Sequence, residues 1–141
     1  MVRLESDLVQ ILLAVCKGEL SKEKLDWLSE SAMVVVMASK GYPGAYESGS
    51  VIGNLKEAEL VAPSIMIFHA GTAFDSHGNY VAAGGRVLCV TASGKNLEEA
   101  RVRAYRAVEA INWPGGYYWR DIGWRALPKV GNGLSGNKNL P

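Results

Sequence analysis

The chain has 141 residues, of which 48% are hydrophobic and 21% are charged, and its formal net charge is +1. This length favours one domain, and a charge so close to zero gives no overall case for nucleic acid or an anionic membrane as partner. No apolar run reaches the ~20 residues that a membrane-spanning helix needs, and the first residues do not read as a secretory leader. The sequence therefore predicts a cytosolic protein that binds neither nucleic acid nor membrane.

The first 31 residues are predicted to be helical. Residues 3–17 have apolar side chains at helical spacing, Asp7 with Gln10 resembles a capping box, and Gly18 is well placed to end the helix. We expect this face to pack into the core, and a partner-binding face is the alternative; its members are Leu4, Leu8, Ile11, Leu12 and Val15. A second short helix is predicted after Ser21, with Leu25 and Leu28 turned inward.

Residues 32–38 form a continuous apolar run rich in valine, which predicts a strand buried on both faces. Glycine, proline and tyrosine then follow in residues 41–46, a composition typical of a tight, shaped loop. The loop is either a structural turn or part of a binding site, and in the second case Lys40 is the candidate cation.

Residues 65–69 predict a second strand, which ends at His69. Residues 75–79 give a hairpin-turn signal, and the return strand begins at Tyr80. His77 lies in this polar turn and is interpreted as a solvated residue. For His69 two interpretations remain open, a hydrogen-bonded structural histidine or a residue that lines a site, because it precedes the Gly71-Thr72 pair.

The strongest candidate for ligand binding is Arg86, which follows Gly84 and Gly85 and opens a predicted central strand over residues 86–92. Glycines allow a ligand to approach the backbone, and an arginine at the start of a buried strand is a rigidly held cation. Such a cation suits a carboxylate or a phosphate. The two cysteines, Cys16 and Cys89, lack metal-ligand spacing and are predicted to be buried thiols in a reducing compartment.

A long helix is predicted from Asn96, which caps it, with Glu99 at the capping-box position. Its arginines are expected to form ion pairs, Arg101 with Glu98 and Arg103 with Glu99, on a solvated face. The expected buried face contains Ala100, Ala104, Ala107, Val108 and Ile111. An aromatic segment follows over residues 117–127, in which Asp121 is expected to pair with Arg120 or Arg125. Residues 128–141 are predicted to be disordered.

Four motifs, in order, resemble the C-terminal region of the phosphoribosylamine–glycine ligase (glycinamide ribonucleotide synthetase) family. They are Met33-Val34-Val35-Val36-Met37-Ala38-Ser39-Lys40-Gly41-Tyr42-Pro43-Gly44, Phe68-His69-Ala70-Gly71-Thr72, Gly84-Gly85-Arg86-Val87-Leu88-Cys89-Val90-Thr91 and Asp121-Ile122-Gly123-Trp124-Arg125-Ala126. The resemblance covers roughly residues 1–127. It departs from the family at Ala45, where an acidic residue is usual.

The resemblance implies an α+β fold, with a helical segment (residues 1–31) that links to a missing ATP-grasp core. A small β-rich, barrel-like domain of the rudimentary hybrid-motif type with one packed helix (residues 32–127) and a disordered tail (residues 128–141) would follow. The implied reaction joins glycine to 5-phosphoribosylamine with ATP and Mg²⁺, in purine synthesis. The family's ATP-binding and metal-binding motifs lie upstream of the match, so neither ATP, Mg²⁺ nor a catalytic residue is expected on this chain.

The resemblance also implies a role in binding the ribose phosphate of the substrate. It places Arg86 first, supported by the backbone of Gly84 and Gly85. The remaining candidates are Gly71, Thr72, His69 and Lys40. Three functions fit: a part that completes the ligase when the ATP-grasp part is supplied, a free-standing phosphosugar- or nucleotide-binding module, and a non-functional gene remnant. The first predicts an exposed apolar surface on the helix that contains Leu4 to Val15.

Overall fold

The computed structural model describes residues 1–127, which contain three α-helices and six antiparallel strands. The predicted disordered tail lies outside the described residues. The helices are α1 (Leu8–Cys16), α2 (Leu55–Glu59) and α3 (Leu97–Ala110), with 3₁₀ turns at Leu20–Lys22 and Trp124–Ala126. The strands are β1 (Ser31–Ser39), β2 (Ile65–His69), β3 (Thr72–Phe74), β4 (Tyr80–Ala82), β5 (Arg86–Gly94) and β6 (Gly116–Tyr117).

Four strands form one antiparallel sheet in the order β2-β5-β1-β6, and β3 and β4 form a separate hairpin. The α+β class is therefore confirmed. The sheets described for residues 1–127 are open and do not close into a barrel, so the barrel-like detail of the prediction is not found there. The longest pairing joins β1 to β5, where Val35 lies opposite Val90, and its register shifts between Met37 and Ala38.

The hydrophobic core lies between this sheet and α3, which was correctly predicted. Asn96 caps the helix by accepting the Glu99 N–H at 2.9 Å, and the Glu99 carboxylate accepts the Lys95 N–H at 2.8 Å. Small side chains let the helix lie close to β1 and β5. The predicted inward face is fully or almost fully buried, namely Ala100, Ala104, Ala107, Val108 and Ile111.

The prediction that β1 is buried on both faces is wrong. Its side chains alternate, with Val35 fully buried under α3 while Val34 on the opposite face remains 44% exposed. The reason is that no second layer covers this face of the sheet among residues 1–127. Apolar side chains of β1 and β2 therefore form an exposed patch, here called the open sheet face, that consists of Val34, Val36, Met66 and Phe68.

The N-terminal helix is shorter than predicted and buries less. It begins at Leu8, because Asp7 adopts an extended conformation and its carboxylate accepts the Val9 N–H at 2.8 Å. Gly18 follows the helix in a left-handed conformation, as predicted. Only Ile11 and Ala14 are buried. Several predicted core positions are instead exposed, namely Leu8, Leu12 and Val15, together with Val9 and Leu13.

Three smaller predictions also need correction. The second helix is only the 3₁₀ turn Leu20–Lys22, and Leu25 and Leu28 are exposed rather than turned inward. Cys16 is exposed and Cys89 is half-buried, so neither is a fully buried thiol. Glu99 does pair with Arg103 at 2.9 Å, but Arg101 instead donates to the backbone carbonyls of residues 120 and 122, each at 3.0 Å.

Candidate functional site

Arg86 lies at the start of β5 and lines a cavity of about 510 Å³. Its side chain is exposed, and no carboxylate of residues 1–127 lies within salt-bridge distance of its guanidinium. The cation is therefore available for an anionic ligand. The rest of the lining is mainly apolar and includes the aromatic ring of Tyr42; these residues are Val36, Tyr42, Ala70, Gly85 and Cys89.

The glycines of the candidate site make room for the protein's own atoms. A Cβ at Gly71 would lie 2.6 Å from the Arg86 carbonyl oxygen and 3.1 Å from the Gly84 Cα. A Cβ at Gly85 would collide with the ring of Tyr42. The sequence suggested that these glycines allow a ligand to approach the backbone. In the structure, the atoms that approach Gly71 belong to the backbone of residues 84 and 86, and those that approach Gly85 belong to the ring of Tyr42.

The backbone amides of these glycines differ in their hydrogen bonding. The Gly71 N–H donates to the Val87 carbonyl at 3.1 Å, so it is already occupied. The carbonyls of Gly84 and Gly85 accept from Ser39, its hydroxyl at 2.9 Å and its N–H at 2.8 Å respectively. No acceptor within residues 1–127 is bonded to the N–H of Gly84 or Gly85. Both N–H groups are thus unbonded, and of the two residues Gly85 lines the cavity with Arg86, so its amide is a candidate further donor to an anion.

His69 and Thr72 bind each other. The His69 Nδ1 lies 2.9 Å from the Thr72 Oγ1, so the hydroxyl that was expected to meet a ligand already has a partner. The His69 ring also stacks on Tyr80, whose ring stacks in turn on Phe74, with centroids 4.7 and 4.6 Å apart. This pair belongs to the base of the β3–β4 hairpin, and neither residue lines the Arg86 cavity.

Lys40 lines a different cavity from Arg86. Its cavity measures about 750 Å³ and is bounded by the loop after β1 and by residues 114 and 115. The Lys40 N–H donates to the Gly115 carbonyl at 3.0 Å. The two predicted cations are therefore not brought together in one cavity. The loop between them borders both, because it contributes Tyr42 to the Arg86 cavity and Tyr46 to the other.

Sequence reasoning did not single out Tyr42 or Cys89 as lining residues. A signal for Tyr42 was present, since it lies in a glycine- and proline-rich loop directly after a buried strand. Cys89 gave no such signal, because its exposure depends on the open sheet face, and the apolar sequence predicted a strand buried on both sides.

The donors that Mg²⁺ prefers in proteins are carboxylate oxygens. No group of three acidic, histidine or cysteine side chains lies close enough together within residues 1–127 to hold a metal ion. Asp121 is likewise without a salt bridge to Arg120 or Arg125 in this part of the chain, contrary to the prediction. Among the described helices, none is long and apolar enough to cross a membrane.

Comparison with known proteins identifies the class. Residues 32–125 match the family described as phosphoribosylglycinamide synthetase, C domain, and the chain therefore belongs to this family. The resemblance drawn from the four motifs is confirmed.

Individual relatives share most of this chain. It is 70% identical, over 90% of its length, to the phosphoribosylamine–glycine ligase, chloroplastic, of Arabidopsis thaliana, and 68% identical, over 84% of its length, to the ligase of Vigna unguiculata. A crystal structure of the ligase from Thermotoga maritima aligns with 80% of the chain at 34% identity and a TM-score of 0.66.

The match covers only part of each relative. The chain spans 24% of the Arabidopsis ligase, 40% of the Vigna ligase and 26% of the Thermotoga chain. It corresponds to the C-terminal portion of the larger ligases.

Proposed function

We propose that this chain supplies the C-terminal part of a phosphoribosylamine–glycine ligase and binds the phosphate of 5-phosphoribosylamine. In this proposal the complete enzyme uses ATP to phosphorylate the carboxylate of glycine. The amine of the sugar then attacks the acyl carbon and displaces phosphate. The ATP and the Mg²⁺ belong to the part of the ligase outside this chain, and residues 1–141 carry out no chemical step alone.

The observation that carries the binding role is the environment of Arg86. Arg86 is exposed, has no carboxylate partner within residues 1–127, and lines a cavity together with Gly85, whose N–H has no acceptor in the same residues. Arginine binds phosphate through two parallel N–H donors, and neighbouring amides add further donors. The other sequence candidates contribute less directly. Gly71 and Thr72 already donate or accept within the fold, and Lys40 borders a separate cavity.

Two apolar surfaces support the partner assignment. The exposed side of α1 and the open sheet face are both rich in leucine, valine or phenylalanine. The exposed apolar surface predicted for α1 is present. Burying a fully exposed side chain of this kind contributes about 1.5–3 kcal/mol, and because these side chains are about half exposed, covering each would contribute roughly half of that. The assignments of residues 1–31 to a link with that core and of residues 32–127 to a hybrid motif remain predictions.

The test is a ligase assay with glycine, ATP, Mg²⁺ and freshly generated phosphoribosylamine. The purified chain is assayed alone and mixed with the N-terminal region of a homologous ligase. Activity only in the mixture is expected. Activity of the chain alone would contradict the assignment of ATP to the other part, and no activity in either sample would remove the ligase role.

Variants then test the role of Arg86 in the active mixture. Arg86→Ala is expected to lose most activity, and Arg86→Lys to restore only part of it, because lysine keeps the charge but not the paired donors. The matched control is Arg106→Ala, which removes an exposed arginine from α3, away from the cavity. Equal losses in both alanine variants would show that net charge, and not the Arg86 site, matters.

A free-standing binding module is the second candidate, and the cavity itself favours it. The Arg86 cavity is formed by residues 36–89 of this chain alone. Binding of a phosphosugar with no activity in the mixture would support this second function. A folded chain that neither binds nor complements would support a non-functional remnant. The cytosolic location remains a prediction, and the chloroplastic relative makes the plastid the competing compartment.

A further inference from the structure

The Arg86 cavity has an aromatic wall that the proposed function does not use. Tyr42 lines the cavity together with Arg86, and its ring lies directly against the backbone of Gly85. Tyr42 as a residue is 41% exposed and lines the cavity, so part of its surface is available to contact a ligand. Tyrosine offers both an apolar ring and a hydroxyl that can donate or accept a hydrogen bond.

The position of Tyr42 is fixed by the fold. Buried Ser39 binds the carbonyls of both Gly84 and Gly85, and the Tyr42 N–H donates to the Ser39 carbonyl at 3.1 Å. The segment that carries the ring is therefore tied to the segment that carries the cation. A binding surface that is already in place loses less entropy when its ligand arrives.

The lining of the cavity divides into two parts of different chemistry. Arg86 and the backbone N–H of Gly85, which has no acceptor within residues 1–127, provide donors for an anion. Tyr42 and the apolar side chains of Val36 and Ala70 provide surface for the uncharged body of the same ligand. An inorganic anion would use only the first part.

We propose that Tyr42 is a specificity-determining residue of the Arg86 cavity, which contacts the sugar of a phosphosugar whose phosphate is held by Arg86. The inference rests on the proposed function for the phosphate. It adds that the cavity distinguishes a sugar phosphate from free phosphate, and that Tyr42 provides this distinction.

The experiment is isothermal titration calorimetry of the full chain with two probes, ribose 5-phosphate and inorganic phosphate. The wild-type chain is expected to bind ribose 5-phosphate more tightly. Tyr42→Leu should weaken ribose 5-phosphate binding by about threefold to tenfold, the size of one or two lost contacts, and leave phosphate binding unchanged. Tyr42→Phe removes only the hydroxyl and keeps the ring that packs against Gly85, so it measures the contribution of the hydroxyl separately from that of the ring.

Two further variants complete the design. Tyr117→Leu is the matched control, since Tyr117 is similarly exposed at 45% but borders another cavity, and both affinities should be unchanged. Arg86→Ala should weaken both probes. Circular dichroism and thermal unfolding of each variant establish that it is folded.

The outcomes separate this inference from the proposed function. If Arg86→Ala weakens both probes but Tyr42→Leu weakens neither, or weakens both equally, the specificity role of Tyr42 is wrong and the phosphate role of Arg86 stands. If the wild-type chain binds ribose 5-phosphate no more tightly than phosphate, the specificity role of Tyr42 is again wrong, while the phosphate role of Arg86 stands. If it binds neither probe, the phosphate role and the specificity role are both overturned.

Discussion

Both α1 and α3 begin at a side-chain cap, Asp7 for α1 and Asn96 for α3, and both carry apolar residues at helical spacing. The apolar face of α3 is made mainly of alanines and lies buried against the sheet. That of α1 is made mainly of leucines and valines, and most of them are exposed. The comparison shows that apolar residues at helical spacing predict a helix with an apolar face. They do not predict whether residues 1–127 themselves cover that face.

The largest expected effect concerns the core under α3. Leu88 in β5 is completely buried, so Leu88→Ala should lower the free energy of unfolding by about 2–5 kcal/mol, through lost burial and the cavity left behind. The measurement is urea denaturation followed by circular dichroism. The control on the other helix is Leu12→Ala, at a side chain that is 53% exposed, and its change should stay within about 0.5 kcal/mol. Similar losses of unfolding free energy in both variants would show that the core under α3 and the exposed face of α1 contribute equally to stability, against this comparison.

The next effect concerns the backbone beside Arg86. Gly71→Ala should cost about 1–3 kcal/mol, because its Cβ meets fixed backbone atoms of residues 84 and 86. Gly53→Ala is the matched control, since its Cβ would find its nearest neighbour at an ordinary 3.7 Å. Thermal unfolding of the two variants measures the difference. If Gly71→Ala is as stable as the control, the contact between these segments is looser than the structure shows.

A smaller change in stability, with a large change in function, is expected on α1. Replacing Leu12 and Leu13 with serine should leave the unfolding of the isolated chain nearly unchanged, because both side chains are already exposed. If the other part of the ligase covers this helix, the same double variant should lose complementation in the ligase assay. A variant that complements normally would indicate that this face of α1 remains uncovered in the complete enzyme.

The smallest expected effect is a change in the pKa of Asp75 in the β3–β4 turn. Local hydrogen bonds stabilise this turn. The pKa of Asp75 is lowered, first by the Asn79 side-chain amide and then by backbone N–H groups that donate to its carboxylate. A lowered pKa means that this stabilisation is present above the pKa of the unfolded chain. It is lost as the pH falls through the lower value of the folded chain.

An NMR titration of the Asp75 carboxyl measures this effect. Asn79→Ala should raise the pKa of Asp75 toward its ordinary value, whereas Ser76→Ala should not, because the Ser76 hydroxyl is bonded to His77 instead. An unchanged pKa in Asn79→Ala would assign the shift to the backbone alone.

Local sequence signals predicted most of the regular structure. The cap at Asn96, the alanine face of α3 and the turn at residues 75–79 all depend on neighbours within a few residues. Whether a second layer buries a strand does not depend on such neighbours. The valine run of β1 has the same sequence whether one or both of its faces are covered, so its exposure could not be predicted from the sequence.

The candidate site shows the same limit. The position of Arg86 beside Gly84 and Gly85 followed from the sequence, because these residues are adjacent in the chain. The separation of Lys40 from Arg86 could not be predicted from the sequence, since it depends on how the loop after β1 folds over Gly85. Likewise, the partner of Arg101 was expected one turn away on the same helix and proved to be the backbone about 20 residues later.

The two cysteines give this chain a natural reporter on each of its two proposed binding surfaces. Cys16 is exposed and follows Leu12 by four residues, which places it on the same side of α1, whereas Cys89 lines the Arg86 cavity. The rate at which a thiol reagent modifies each cysteine therefore measures coverage at that surface without any engineered label. Protection of Cys16 would register the arrival of another protein part on α1. Cys89 lies between Val36 and Phe68 of the open sheet face as well as in the cavity, so its protection would register coverage of that face by a protein part or by a ligand beside Arg86.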